Sequence, residues 1–241
     1  MRFRFGTDIG LKREENQDAV KCEYYGHNVL AVVCDGMGGE RAGKEASELA
    51  IQEFFQRFSA GYSESLGDED IRKLLISSVS AANSVIYTKA RLDFKNFGMG
   101  TTCVAAFVNK DSVFIANVGD SRAYLIGDKG LRRITDDHNV ASMLYEQGKI
   151  TEEELENHPQ KHMLVRAVGV EKTVLTDTFM ISYTDKIGLL LCSDGLSGYC
   201  SDDEIYDVIL NSSFDDVAEE LINLALSKGG RDNVTVAVIS D

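Results

Sequence analysis

Proline occurs once in the 241 residues, as Pro159, inside a polar stretch over 136–170 that also carries three of the four histidines. No window approaches 18 consecutive apolar residues, which excludes a hydrophobic membrane-spanning helix. The opening MRFRFGTDIG is basic but has no apolar h-region, so a signal peptide is not expected. Positive charge is also in short supply: 25 Lys and Arg stand against 39 Asp and Glu, a net charge of −14. Nucleic acid is a poor partner for such a chain, because phosphate backbones require basic patches. The five cysteines form no CxxC pair, which removes the commonest zinc–thiolate arrangement. Cys34, Cys103 and Cys192 lie in or at the ends of apolar runs, where reduced cysteine acts as a small hydrophobe, so a reducing, cytoplasmic setting is expected.

Hydrophobic residues make up 44% and charged residues 27%, ordinary values for a globular protein long enough to bury a core. No linker, repeat or low-complexity segment interrupts residues 1–241, and one domain is expected. Extended segments over 2–9 and 19–25 flank the polar loop 10–18. The valine-rich run 29–33 reads as a buried strand ending at Asp35, before the glycine-rich GMGG. Apolar residues at helical spacing predict one helix over 43–58 and a second from the acidic GDED at 67–70 through Ile86. Strands over 101–108 and 112–118 flank a turn at Asn109, and strands over 122–126 and 131–134 flank the turn GDKG. A meander of this kind favours an α+β fold with antiparallel sheets. A short helix is expected over 140–148, then a mobile segment, then strands over 174–182 and 187–192. Ser201 and Glu204 form a capping box for a helix reaching about residue 210, a further helix covers 215–227, and VTVAVIS closes the chain as a strand.

Acidic residues recur at strand ends or in adjoining turns: Asp8, Asp18, Asp35, Asp120, Asp194 and Asp232. A single Asp-Gly pair is an ordinary turn. Several brought together would repel, and one would have to take a proton unless a cation stood between them. Hard divalent ions with oxygen ligands, Mg2+ or Mn2+, meet that need. Other readings fit less well. Gly38-x4-Gly43-Lys44 sits where a phosphate-binding loop would, but Glu45 replaces the Ser or Thr such a loop requires. GLSG is not a nucleophile elbow, and the acids are too dispersed for an EF-hand.

The segments GLKREENQDA, VVCDGMGG, GMGTT, NVGDSRAY, LLLCSDGLSG and GGRDNVTV occur in this order. In that order the chain resembles the metal-dependent serine/threonine protein phosphatases of the 2C type, in particular the compact bacterial members. The resemblance implies a four-layer αββα sandwich of two antiparallel sheets flanked by pairs of helices. It also implies a binuclear Mn2+ or Mg2+ centre in the cleft at one end. Asp35 then corresponds to the carboxylate bridging both ions, and Asp194 and Asp232 to the remaining ligands of the first. The Gly36 carbonyl corresponds to a ligand of the second, with Asp18 contributing directly or through water, and Asp120 with Asp194 to the holders of a third, weaker ion. Arg13 corresponds to the arginine that clamps the substrate phosphate, a task suited to a planar guanidinium. The implied reaction is hydrolysis of phosphoserine and phosphothreonine in proteins by a hydroxide shared between two ions, opposing a serine/threonine kinase. A cytoplasmic monomer without membrane or nucleic-acid partners is expected.

Two positions depart from the family pattern. Relatives carry histidine at the positions of Met37 or Glu40, and neither residue supplies an imidazole here. His162 or a metal-bound water becomes the candidate general acid, His162 in a segment over about 145–163 that resembles the family's variable flap. His138, in an Asp-His turn, reads as structural, and His27 and His158 as surface residues.

Overall fold

In the computed structural model, residues 1–38, 42–92, 94–183 and 188–241 are described. Eleven strands among them form two sheets, antiparallel throughout. The first sheet has the order β1 (Arg2–Asp8), β11 (Val234–Ser240), β10 (Gly188–Cys192), β7 (Arg122–Gly127) and β8 (Gly130–Arg133). The second runs β2 (Asp18–Tyr25), β3 (Asn28–Met37), β5 (Cys103–Val108), β6 (Ser112–Val118) and β9 (Asp177–Ser182), with β4 (Gly100–Thr101) also on β3.

Alternation along β3 explains the layering. Val29, Ala31 and Val33 face the other sheet, where they meet Leu189, Leu191, Ala237 and Ile239. Leu30, Val32 and Cys34 face outward onto α1 (Ala42–Gly61) and α2 (Asp68–Leu92), among Phe54, Phe58, Leu75 and Val79. A strand buried on both faces must be apolar at every position, which is why this one reads as a continuous run. A matching outer layer forms where Leu190, Cys192, Val236 and Val238 meet α6 (Asp202–Asn211) and α7 (Val217–Ser227). The sandwich expected from the resemblance is therefore the observed architecture.

Helix ends follow their local chemistry. Asp68, Glu69 and Asp70 open α2 while Lys89 and Arg91 close it, both favourable to the helix dipole. The Ser201–Glu204 capping box forms at the start of α6.

Several boundaries differ from expectation. Asp35 does not end its strand: β3 continues to Met37 because Gly36 and Met37 pair with Thr101 and Gly100. The strand expected over 101–108 divides there, since Thr101 and Thr102 turn their hydroxyls to the Asp35 backbone. Asp194 likewise lies beyond β10, in the first turn of the short helix α5 (Asp194–Ser197). The strand expected over 174–182 begins only at Asp177, and residue 187 lies outside the described residues. After α3 (Val140–Glu146), the acidic TEEELE forms α4 (Glu152–Glu156), capped reciprocally by Thr151 and Glu154, where a mobile segment was expected. Among the described residues no helix is long and apolar enough to cross a membrane.

Candidate active site

The site forms at one end of the sandwich, where β2 begins and β3, β6 and β10 finish. The β2–β3 register sets Asp18 directly opposite Asp35. Two acids facing each other in adjacent strands destabilise a sheet unless something offsets their charge. Burial raises the Asp18 carboxyl to about 7, with Asp194 and Asp232 pushing the same way, and hydrogen bonds from Thr235 and Ser193 oppose the rise. Ser193 Oγ donates to Asp18 Oδ2 at 2.7 Å. Asp35 is raised well above the usual carboxylate range by burial, then by Asp18, Asp194, Asp120 and Asp232. Asp120 is raised by burial and by Asp194 and Asp137. Each acid thus lies within electrostatic reach of the others.

The backbone around Asp35 is held tightly. Its N–H donates to Thr102 Oγ1 at 2.8 Å, and its carbonyl accepts from Thr101 Oγ1 at 2.9 Å and from the Thr102 N–H at 2.8 Å. Thr102 Oγ1 also bonds Ser121 Oγ at 2.7 Å, which ties the Asp35 strand to the turn bearing Asp120. Gly36 donates its N–H to the Gln17 carbonyl. A Cβ at Gly36 would stand 2.0 Å from the Gly43 carbonyl oxygen of α1, so only glycine permits this approach.

Arg13 reaches the same cleft from the 10–17 loop. Its Nη2 donates to Asp232 Oδ2 at 2.7 Å while the side chain stays 54% exposed. That hydrogen bond is the main reason its basicity is raised. His162 Nδ1 lies 3.2 Å from Asp194 Oδ2, and this contact raises the imidazole pKa above its ordinary value. Tyr199 stacks near the ring at 6.4 Å between centroids. A cavity of about 690 Å³ opens beside these groups, walled by Asp120, Asp194, Lys161, His162 and Tyr199 among others.

Arg13, Asp18, Asp35, Asp120, Asp194 and Asp232 therefore lie at the same end of the sandwich, the other acids within electrostatic reach of Asp35. Asp8 does something else: its Oδ1 accepts from the Gly10 N–H and shapes a turn. His138 is buried in a structural network, accepting from the Gly119 N–H at Nδ1 and meeting Asp177 and Arg166 at Nε2. His158 is occupied locally, its Nδ1 accepting from the Gln160 N–H. His27 is exposed. Met37 closes β3 beside Gly100, and Glu40 lies outside the described residues.

The donor set suits a hard cation. Asp18 Oδ1 and Asp194 Oδ1 are buried oxygens without a hydrogen-bond partner among the described residues. Such atoms are costly to desolvate unless a positive charge or a donor reaches them. Among the described residues no three acidic, histidine or cysteine side chains converge on one point. Asp232 turns instead to Arg13, and Asp194 to His162.

Residues 10–235 match the family model for protein phosphatase 2C. This chain belongs to the protein phosphatase 2C family. Its relatives include a serine/threonine phosphatase stp of Listeria welshimeri, 39% identical, with 99% of this chain and 95% of that protein aligned. Another is the serine/threonine protein phosphatase PstP of Mycobacterium tuberculosis, 36% identical over 99% of this chain and 44% of that protein. The solved phosphatase 2C relatives agree in shape. The crystal structure of Mycobacterium tuberculosis PstP/Ppp superposes with a TM-score of 0.89 at 36% identity, covering 100% of this chain and 97% of that one. A PstP catalytic domain in complex with two manganese ions gives 0.83 at 34% identity, covering 100% and 97%.

Sequence reasoning missed Ser193, Thr102, Ser121, Thr235 and Asn233. Ser193 and Thr235 bond Asp18, Thr102 bonds the Asp35 N–H and is held in turn by Ser121, and Asn233 ties down the backbone of the loop before Asp18. Ser121 next to Asp120 and Ser193 next to Asp194 were the available signals; Thr101-Thr102 has no acid beside it in the sequence.

Proposed function

We propose that this chain is a metal-dependent protein phosphatase that hydrolyses phosphoserine and phosphothreonine in phosphorylated proteins and opposes a serine/threonine kinase. The observation that carries the reading is the Asp18–Asp35 pair facing each other across β2 and β3, with the partnerless buried oxygens of Asp18 and Asp194. Family membership and the names of the relatives support it.

In this reading Asp35, Asp194 and Asp232 would hold one ion of Mn2+ or Mg2+. Asp35, the Gly36 carbonyl and Asp18 would hold a second, and Asp120 with Asp194 a third, weaker one. The manganese pair in the related PstP domain supports two as the number. Bound there, the ions would lower the pKa of water and offset phosphate charge. The chain's own groups do the rest. Arg13 is tethered by one edge to Asp232 and half exposed, so it can donate its remaining N–H groups to the phosphate oxygens. Ser193 and Thr235 hold Asp18 in place, and Thr101 and Thr102 hold Asp35. His162 lines the cavity with Nδ1 engaged by Asp194, which leaves Nε2 to protonate the departing serine or threonine oxygen. The segment over about 145–163, with α4, forms the flap that shapes access. The whole of 1–241 acts as one catalytic domain, monomeric and cytoplasmic.

The test is hydrolysis of a phosphothreonine peptide and of p-nitrophenyl phosphate with Mn2+, with and without chelator. Activity should vanish on chelation and in Asp194→Ala. Full turnover in excess chelator, or a preference for phosphotyrosine, would overturn the proposal.

A further inference from the structure

Asn233 is 5% exposed and sits between Asp232 and the first residue of β11. Its side chain spends every bonding group on the backbone of a distant segment. Oδ1 accepts from the Gln17 N–H at 2.8 Å, and Nδ2 donates to the Ile9 carbonyl at 2.9 Å and the Glu15 carbonyl at 3.0 Å. These partners are the two ends of the loop that carries Arg13 at its exposed tip. The Asn233 N–H donates to Asp232 Oδ1 at 2.8 Å, so the same residue also steadies the carboxylate that Arg13 grips.

The loop also packs closely against the 230–232 turn. Leu11 donates its N–H to the Gly230 carbonyl at 2.7 Å. Gly10 holds φ +78, and a Cβ there would lie 2.2 Å from the Asp232 carbonyl oxygen. Asn16 Nδ2, donating to Thr7 Oγ1 at 2.9 Å, also ties the two sides of the loop, and Asn233 joins both sides to the segment that carries Asp232. No other side-chain type supplies one acceptor and two donors in so short a reach.

We infer that Asn233 is a positioning residue: it clamps the 9–17 loop so that Arg13 and Asp18 stand at fixed places relative to Asp232. The Arg13 part rests on the phosphatase reading given above, whereas the clamp itself does not. A guanidinium displaced by about 1 Å loses roughly 100-fold in rate or binding.

The experiment uses Asn233→Ala in the full chain. Trypsin should cut after Lys12 and Arg13 about tenfold faster than in the unsubstituted protein, with cleavage after Lys129, in the 128–129 turn, unchanged. With Mn2+ and a phosphothreonine peptide, KM should rise roughly 10- to 100-fold while kcat falls less. In an Arg13→Ala background the same substitution should change KM by less than about threefold, because two residues acting through one contact do not add. Unchanged cleavage at Lys12 and Arg13, an equal rise at Lys129, or full additivity with Arg13→Ala would overturn the inference. If Asn233→Ala does not fold, amide exchange in the unsubstituted chain decides: the Gln17 N–H should exchange as slowly as its β2 neighbours, and loop-like exchange contradicts the clamp. Should the unsubstituted chain show no phosphatase activity, the functional reading fails while proteolysis and exchange still judge the clamp.

Discussion

Thr102→Val is a stringent test of how the acids are held. The side chain is 1% exposed, and its hydroxyl stands between the Asp35 N–H and the Ser121 hydroxyl, at 2.8 and 2.7 Å. Oγ1 accepts from the amide, and either hydroxyl can donate in its bond with Ser121. Valine keeps the shape and removes both bonds, leaving a buried N–H and a buried hydroxyl unpaired. Each such orphan costs about 1–3 kcal/mol, so a loss of about 2–4 kcal/mol is expected once relaxation is allowed. For a chain of this size that corresponds to a fall in Tm of roughly 5–10 °C. Calorimetry should be run in chelator, so that ion binding does not add its own stabilisation. Thr102→Ser keeps the hydroxyl and loses one methyl, worth about 1 kcal/mol. A Thr102→Val protein as stable as Thr102→Ser would refute the claim that this hydroxyl joins the Asp35 strand to the turn bearing Asp120.

Arg13→Ala should raise KM for a phosphopeptide about 10- to 100-fold, the equivalent of losing charge-assisted hydrogen bonds worth about 1.5–3 kcal/mol; unchanged kinetics would remove Arg13 from the site. His138 is held below its ordinary pKa, mainly by burial and then by the nearby Arg166, against the opposing pull of Asp177 and Asp137. The folded state therefore binds its proton less readily than the unfolded chain, so stability present above about pH 6.5 should decline as pH falls below it. Urea melts from pH 7.5 to 5.5 should show that decline, reduced in His138→Asn; an identical slope in both would refute the assignment. The thiols are all free, and burial pushes Cys22 and Cys192 up to about 12 and Cys200 up to about 11. An aromatic disulfide reagent at pH 8 should label the folded chain slowly and the denatured chain at all five cysteines; rapid labelling of the folded chain would contradict this burial.

Acids that carry the site were legible because charge beside glycine is conspicuous against valine-rich strands, as at Asp35 and Asp194. Their exact seats were not. Asp35 lies within β3 because Gly36 and Met37 beyond it pair with Thr101 and Gly100, and such pairing is a tertiary fact that periodicity does not encode. α4 could have been read: Thr151 and Glu154 form the same capping signature that placed α6. The short length of α4 and its lack of buried residues hid it, since no apolar stripe marks the segment. Asn233 was least visible of all, because an asparagine after Asp232 reads as a turn until Ile9 and Gln17 are brought against it.

The central claim is that these carboxylates hold divalent ions in common, and counting the ions tests it most directly. Chelator-stripped protein titrated with Mn2+, with free ion followed by its paramagnetic resonance, should bind about two ions tightly per chain, as oxygen-rich sites for hard cations do. Asp35→Asn, which removes the proposed shared ligand, should weaken both together. Undiminished binding of both ions by Asp35→Asn, or no tight binding by the unsubstituted chain, would contradict the account.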